Sequence, residues 1–372
     1  MLLAAPKEIK NNEFRVGLTP GSVRELVSHG HQVLIETSAG IGIGMSDDDY
    51  RTAGATIVES AEECFAEAEM IVKVKEPQAI ERALLRPDQI LFTYLHLAPD
   101  ADQTLELVNS DAICIAYETV TSPQGGLPLL APMSEVAGRL SIQAGAHCLE
   151  KTQGGKGMLL GGVPGVQPAK VVILGGGSVG RHAAAMAIGL GADVWILDRS
   201  NDALKSIWSQ FGNNVHTVYS TYDSLQQHVL SADLVIGSVL IPGAAAPKLV
   251  TADMVKKMDA GTVLVDVAID QGGCFETSHP TTHADPIFVV DDVIHYCVAN
   301  MPGAVPKTST FALNNATLPF ILALADQGVP EALVSDPHLA NGLNIYKGEI
   351  TNQAVAEAHN YSYISTQKIL RL

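Results

Sequence analysis

One glycine-rich segment limits the fold of this 372-residue chain more than any other feature. The loop Gly175-Gly176-Gly177-Ser178-Val179-Gly180 follows the apolar run Val171–Leu174, and the pattern after the loop predicts a helix over 179–190. The next apolar run, 194–197, ends at Asp198, which comes 18 residues after Gly180. A strand, a G-x-G-x-x-G loop, a helix and a second strand ending in an acid form a βαβ unit of the kind that binds dinucleotides.

Each residue of this unit has a physical task. Gly175 permits a tight turn, Gly177 lets the backbone approach a pyrophosphate, and Gly180 lets the helix pack closely on the strand. The free N–H groups at the start of the helix then hold the anion. Asp198 can accept hydrogen bonds from ribose hydroxyls and repels a 2′-phosphate, so we predict NAD rather than NADP as the cofactor. The neighbouring Arg199 leaves NADP open, and a glycine-rich turn without a ligand is the structural alternative.

Short apolar runs alternate with helical patterns on both sides of this loop. The alternation predicts an α/β protein with two Rossmann-like domains, each built on a parallel sheet, and a catalytic cleft between them. We predict a substrate-binding domain made of residues 1–128 and 307–372, and an NAD-binding domain over 129–306. A second glycine-rich segment, 40–44, precedes acidic residues and is predicted to be a structural turn. The predicted strands are 2–5, 32–35, 70–74, 90–93, 112–116, 170–174, 193–197, 215–218, 234–236, 262–267 and 287–290.

Charge and cysteine content exclude several classes of protein. The chain has 23 basic and 40 acidic residues, and its net charge of −17 repels phosphate backbones and anionic membranes. We therefore expect no nucleic-acid or membrane partner. Five widely spaced cysteines without a C-x-x-C pair indicate reduced thiols in a cytoplasmic protein, with no metal site. The longest uncharged stretch, 308–325, contains Pro319 and predicts a partly buried helix rather than a membrane span.

Several side chains with catalytic potential follow predicted strands of the first domain. Arg15 could clamp a carboxylate through two parallel hydrogen bonds, although a surface ion pair with the adjacent Glu13 is the alternative. Lys73 and Lys75 flank Val74, and strand alternation would place both on one face, where they could attract an acidic substrate or simply be solvated. His96 is a candidate general acid/base, although a lone histidine can also be structural.

Two carboxylates follow a predicted strand of the second domain. Asp266 and Asp270 lie at the end of the strand predicted over 262–267, and ligands gather at the carboxyl ends of strands in open α/β sheets. A guanidinium, an ammonium, an imidazole and a carboxylate at successive strand ends would suit an amino or oxo acid as substrate.

The ordered motifs of the chain resemble the family of alanine dehydrogenases and transhydrogenase α subunits over essentially its whole length. The motifs that carry this resemblance are 6–10 (PKEIK), 15–20 (RVGLTP), 74–77 (VKEP), 94–98 (YLHLA), 133–138 (MSEVAG), 160–165 (LGGVPG), the Gly175 loop, 266–273 (DVAIDQGG) and 300–306 (NMPGAVP).

The resemblance implies NAD-dependent, reversible oxidative deamination of L-alanine to pyruvate and ammonium. It implies that Arg15 and Lys75 bind the substrate, that His96 is the general acid/base, and that Asp270 assists proton transfer. It also implies a homohexamer. The cofactor contacts that it implies, together with the loop glycines, are Ser134, Gly175, Gly177, Ser178, Val179, Gly180, Asp198, Ser220, Val239, Leu240, Val267, Asp270, Asn300 and Met301.

Two positions depart from the family pattern, and other functions stay open. Ala203 and His279 stand where many relatives carry a basic residue, which could alter cofactor binding or selectivity. The main alternative function is the nucleotide-binding soluble subunit of a proton-translocating transhydrogenase, which passes hydride to a partner protein. A dehydrogenase for a larger amino acid and a ligand sensor without turnover are further alternatives.

Overall fold

A computed structural model describes residues 1–239 and 246–370 of the chain. The chain divides into two compact units, one made of Met1–Met133 with Val305–Leu372 and the other of Ser134–Ala304. The first boundary between the units falls inside the helix Ala131–Cys148, and the second falls just before the helix Pro306–Gln327. Each unit is built around one sheet.

The strands, in chain order, are β1 (Leu2–Ala5), β2 (Gln32–Glu36), β3 (Thr56–Val58), β4 (Met70–Val72), β5 (Ile90–Thr93), β6 (Ile113–Ala116), β7 (Lys170–Leu174), β8 (Asp193–Asp198), β9 (His216–Tyr219), β10 (Leu234–Gly237), β11 (Val263–Asp266), β12 (Ile287–Val290), β13 (Val293–Tyr296), β14 (Leu343–Tyr346) and β15 (Glu349–Ile350).

The α-helices are α1 (Pro20–Ser28), α2 (Asp47–Ala53), α3 (Ala61–Glu67), α4 (Ala79–Arg82), α5 (Ala101–Asn109), α6 (Ala131–Cys148), α7 (Ser178–Gly189), α8 (Asn201–Phe211), α9 (Tyr222–Leu230), α10 (Ala252–Val255), α11 (Pro306–Gln327), α12 (Val329–Ser335), α13 (Pro337–Ala340), α14 (Gln353–His359) and α15 (Thr366–Ile369). None of the helices in the described part of the chain combines the length and apolar character that crossing a membrane demands.

The first unit contains an eight-stranded sheet in the order β15-β14-β6-β5-β4-β1-β2-β3. Strands β1 to β6 are parallel to one another, β14 pairs antiparallel with β6, and β15 pairs antiparallel with β14. Alternate residues of each parallel strand enter two different cores: Ile90 and Phe92 of β5 join one, and Leu91 joins the other. This is why these strands have almost continuous apolar sequences.

The second unit contains a seven-stranded sheet in the order β12-β13-β11-β10-β7-β8-β9, in which only β12 is antiparallel. From β7 the chain continues to β8 and β9 on one side of the sheet, whereas β10 and β11 lie on the other side. The strand order therefore reverses at β7, and the carboxyl ends of β7 and β10 flank the point where open α/β sheets bind ligands.

The predicted α/β class with two largely parallel sheets is confirmed, and the structure adds strands that the sequence patterns did not predict. Strands β3, β13, β14 and β15 were not predicted. The second glycine-rich segment forms a short 3₁₀ turn over Ile41–Ile43. A Cβ at Gly42 would lie 2.5 Å from the Phe14 carbonyl oxygen, so this segment needs glycine for packing.

Candidate active site

The Gly175 loop joins β7 to α7 at the reversal point of the second sheet. Gly175 has φ of +105°, which favours glycine, and its N–H donates to the carbonyl of Leu197 at 2.8 Å. A Cβ at Gly180 would lie 1.9 Å from the Gly175 carbonyl oxygen, so only glycine fits there. A Cβ at Gly177 would meet nothing within 4 Å. Packing within the protein therefore does not require glycine at position 177, and the space in front of the first turn of α7 is open.

The start of α7 has the character of an anion site. Gly177 is the N-cap residue and supplies no side-chain hydrogen bond to the helix, so the first N–H groups of α7 have no side-chain cap. Ser178 and Val179 are its first two residues, and Ser178 is exposed. Uncapped N–H groups at the positive end of a helix favour a phosphate. The loop residues therefore fit the pyrophosphate of a dinucleotide.

Asp198 ends β8 beside this loop. Its Oδ2 accepts a hydrogen bond from the N–H of Gly176 at 2.7 Å, and its Oδ1 accepts one from the N–H of Ser200 at 2.7 Å. These contacts fix the carboxylate and leave lone pairs for further donors. A cavity of about 200 Å³ lies next to it. The cavity is lined by Leu174, Gly175, Leu197, Asp198, Arg199, Ser220, Val239, Pro247 and Leu249.

The remaining predicted cofactor residues occupy different parts of the second unit. Ser134 lies near the start of α6, Val267 and Asp270 lie in the 3₁₀ turn Val267–Gln271 after β11, and Asn300 and Met301 lie at the 3₁₀ turn Met301–Ala304. Leu240 lies outside the described residues. Of all the predicted cofactor residues, four line the cavity beside Asp198: Gly175, Asp198 itself, Ser220 and Val239.

Asp266 and Asp270 have different surroundings, although only three residues separate them. Asp266 is fully buried, and its Oδ2 accepts from the N–H of Cys274 at 2.8 Å and the hydroxyl of Ser278 at 2.6 Å. Burial raises the pKa of Asp266. Asp270 is exposed in the following turn. Asp266 therefore holds the returning chain, whereas Asp270 is accessible to a ligand.

Arg15 follows β1 in the first unit and is only 3% exposed. Its Nε donates to Glu13 Oε1 at 2.7 Å, its Nη2 donates to Glu13 Oε2 at 2.5 Å, and its Nη1 contacts the Met133 sulfur at 3.1 Å. The ion pair with Glu13 considered as an alternative is therefore present, but it is buried rather than on the surface. The carboxylate of Glu13 fixes the plane of the guanidinium.

Lys73 and Lys75 have separate environments, and both alternatives, attraction of a substrate and a solvated side chain, are wrong for Lys73. The Lys73 side chain is fully buried, and its Nζ donates to Glu8 Oε2 at 3.0 Å and to Glu81 Oε1 at 2.7 Å. Alternation fails here because β4 ends at Val72. Among the described residues, the ammonium of Lys75 makes no hydrogen bond or ion pair. Burial lowers the pKa of Lys75, although the nearby charge of Glu76 opposes this shift.

His96 follows β5 and has a left-handed backbone, with φ of +51°. Its N–H donates to Glu118 Oε1 at 2.6 Å, and the N–H of Leu95 donates to the same carboxylate at 3.2 Å. The imidazole is half exposed, with Nδ1 3.8 Å from Glu118 Oε1, and its ring stacks on Tyr94 with centroids 5.9 Å apart. Sequence reasoning missed Glu118, whose one signal is its place just after the neighbouring strand β6.

These side chains follow adjacent strands of one sheet. Arg15, Lys75, His96 and Glu118 come after β1, β4, β5 and β6, which are consecutive and parallel. Gly17 lets the chain after Arg15 pass close to β4, because a Cβ there would lie 2.3 Å from the Val72 carbonyl oxygen. The carboxyl edge of this sheet thus carries a guanidinium, an ammonium without a protein partner in the described residues, and an exposed imidazole.

A dinucleotide-type unit, together with a unit that carries cations and an imidazole at one strand edge, is typical of an α/β oxidoreductase. Comparison with known proteins specifies the group. The family models described as "Alanine dehydrogenase/PNT, N-terminal domain" and "Alanine dehydrogenase/PNT, C-terminal domain" match residues 4–137 and 141–353. The chain therefore belongs to the alanine dehydrogenase/PNT family.

Relatives match over the full length. The chain is 58% identical to an alanine dehydrogenase of Halomonas elongata over 370 residues, with 100% of both chains covered. It is 54% identical to one of Mycolicibacterium smegmatis, with 96% of each chain covered. A solved L-alanine dehydrogenase aligns with a TM-score of 0.94 at 54% identity, covering 97% of this chain and 99% of the other. A transhydrogenase from Sinorhizobium meliloti has a TM-score of 0.83 over 94% and 100% of the two chains, but its 23% identity shows only a shared fold.

Proposed function

We propose that this chain catalyses the NAD-dependent, reversible oxidative deamination of L-alanine to pyruvate and ammonium. The observation that carries the proposal is the set of Arg15, Lys75 and His96 along one strand edge, in a chain that also contains the Gly175 loop. The full-length similarity to alanine dehydrogenases supports the same reaction.

Arg15 and Lys75 bind the substrate in this proposal. The carboxylate of alanine or pyruvate accepts hydrogen bonds from the Arg15 guanidinium, whose plane is set by Glu13. The ammonium of Lys75 supplies a second positive charge and polarises the carbonyl of pyruvate. A partly buried cation without a protein partner among the described residues favours this role, because an anion would offset its desolvation.

His96 moves protons to and from the substrate nitrogen and the attacking water. Its half-exposed ring gives access to a ligand, while the hydrogen bonds of Glu118 hold its backbone in place. Asp270 orients the water or ammonia that adds to the substrate. Bound NAD supplies a hydride acceptor for the Cα hydrogen of alanine. The resulting imine takes up water and releases pyruvate and ammonium, with the imidazole returning the proton.

The cofactor in this proposal is NAD. Asp198 supports it, because a fixed carboxylate beside the Gly175 loop accepts from ribose hydroxyls and repels a 2′-phosphate. The departures at Ala203 and His279 lie in different places: a Cβ at Gly176 would be 3.7 Å from the Ala203 Cβ, whereas His279 stacks on Phe288 with centroids 3.7 Å apart.

We also propose that the chain works in the cytoplasm as a homohexamer. Five buried cysteines, all in the free thiol form, support a reducing compartment. The hexamer rests on the family resemblance alone, and light scattering of the purified chain measures it.

The experiment that tests the function uses the purified chain alone. With L-alanine and NAD it should form NADH and pyruvate in equal amounts, and with D-alanine it should form none. A chain that leaves L-alanine unoxidised but oxidises NADH when a hydride-accepting partner protein is present would instead support the transhydrogenase subunit. Failure with L-alanine but activity with a larger amino acid would change the substrate and keep the reaction class.

A further inference from the structure

The backbone N–H groups of Val74 and Lys75 are held by a side chain rather than by the neighbouring strand. Strand β4 ends at Val72, and the N–H of Lys73 still donates to the Phe92 carbonyl at 3.2 Å. Beyond that point the N–H groups of Val74 and Lys75 donate to one carboxylate oxygen, Glu8 Oε1, at 2.7 and 3.2 Å. Glu8 thus accepts from both of these N–H groups, while the Val74 carbonyl still accepts from the Tyr94 N–H at 3.4 Å.

Glu8 also belongs to a buried network with two other charges. Its Oε2 accepts from Lys73 Nζ, which donates to Glu81 as well, and Glu81 Oε2 accepts from the N–H of Gln78 at 2.7 Å. The three charged side chains are almost completely buried, with 0% of Lys73 and 2% of each carboxylate side chain exposed. Buried carboxylates hold their donors strongly because water does not compete.

We propose that Glu8 is a positioning residue for substrate binding: its carboxylate fixes the backbone at Val74 and Lys75 and thereby the place of the Lys75 ammonium. The proposal rests on the proposed function of Lys75. Since no side chain in the described residues holds the ammonium, its place depends on the backbone beneath it. The hydroxyl of Thr93 assists by donating to the Lys75 carbonyl at 3.0 Å.

Glu8→Gln tests the proposal, and Glu81→Gln is the matched control. A glutamine at position 8 has only one side-chain oxygen, which can accept from the Lys73 ammonium or from the N–H groups of Val74 and Lys75, but not from both. Its NH₂ group must then face the remaining donor, and two donors cannot form a hydrogen bond with each other. Glu81→Gln creates the same conflict between Lys73 and the N–H of Gln78, and it removes the same charge from Lys73. Only the first variant disturbs the backbone at Lys75.

We expect Glu8→Gln to raise KM for pyruvate and for L-alanine about tenfold or more, since small misplacements of a binding group are costly. The Kd for NADH should stay within about twofold of the wild-type value, and kcat should fall less than KM rises. Glu81→Gln should keep KM within about twofold. Equal KM values in the two variants would overturn the proposal. If Glu8→Gln does not fold, Glu8→Asp, which keeps the charge but shortens the reach to Val74 and Lys75, should show the same rise in KM.

Amide hydrogen exchange separates this proposal from the proposed function. Exchange at Val74 and Lys75 should be faster in Glu8→Gln than in wild type and unchanged in Glu81→Gln, whatever the substrate is. Unchanged exchange in Glu8→Gln would refute the positioning role. A wild-type chain that does not oxidise L-alanine would refute the proposed function, while the exchange result would still decide whether Glu8 fixes this backbone.

Discussion

Gly177→Ala places one methyl group at the start of α7, where the structure leaves open space. The backbone there has φ of −71° and ψ of −165°, which is extended and open to alanine without strain. An ideal Cβ at this position meets no atom within 4 Å. Any large effect of the substitution must therefore come from something that binds in that space.

The magnitudes of the two effects differ clearly. Alanine is a poorer N-cap than glycine, which destabilises the folded chain by roughly 0.5–1 kcal/mol. Alanine also lowers the entropy of the unfolded chain, which stabilises the folded chain by about 0.4–1 kcal/mol. The free energy of unfolding should therefore change by less than about 1 kcal/mol. A pyrophosphate displaced by the methyl group loses at least one charge-assisted hydrogen bond, worth about 1.5–3 kcal/mol. That loss corresponds to a Kd for NADH raised roughly 10- to 150-fold.

Fluorescence titration with NADH measures Kd, and urea unfolding of the same preparation measures stability. Gly189→Ala is the matched control, because Gly189 ends the same helix and its ideal Cβ also meets nothing within 4 Å. This control should bind NADH like the wild type. If Gly177→Ala also binds NADH with the wild-type Kd while remaining folded, no pyrophosphate lies at the start of α7 and the assignment of the loop is wrong.

Three further predictions concern the substrate and cofactor side chains. His96→Ala should lower kcat by roughly 10²- to 10⁴-fold while the Kd for NADH is retained, and near-normal turnover would remove His96 from proton transfer. Asp198→Gly should weaken NAD binding and raise kcat/KM for NADP, and an unchanged preference would argue against its ribose contact. Burial lowers the pKa of Lys75 below the ordinary 10.5, so pyruvate affinity should hold below that lowered pKa and fall as the pH rises through it. Titrations that show constant pyruvate affinity up to the ordinary lysine pKa would contradict this role for the ammonium.

The dinucleotide loop could be predicted from the sequence because its determinants are local. Gly175, Gly177 and Gly180 lie within one turn of a strand end, and the neighbouring strand supplies Asp198 soon afterwards. The physical demands on these residues, such as the absence of a Cβ at Gly180, arise within a single βαβ unit. A short sequence window therefore contains most of the information.

The environment of Lys73 could not be predicted from its neighbours in the sequence. Its carboxylate partners come from positions 8 and 81, and the first of these is 65 residues away. The alternation rule applies only inside a strand, and the strand ends one residue before Lys73. Glu118 was missed for a similar reason, because its contact with His96 spans 22 residues between two strand ends.

The last two strands of the first sheet, β14 and β15, were missed because they are short. Strand β14 has four residues and β15 has two, and Lys347 between them has φ of +50° in a tight turn. So few residues show no clear period of two, and the pairing of β14 with β6 depends on a strand more than 200 residues earlier in the chain.

The most direct test follows the hydrogen itself. L-alanine deuterated at Cα is incubated with NAD and the purified chain, and the NADH formed is examined by mass spectrometry and by NMR. Direct transfer of hydride from the substrate to the nicotinamide predicts one deuterium at the reactive ring carbon of every NADH. NADH without deuterium, or no NADH at all, would contradict the proposed reaction.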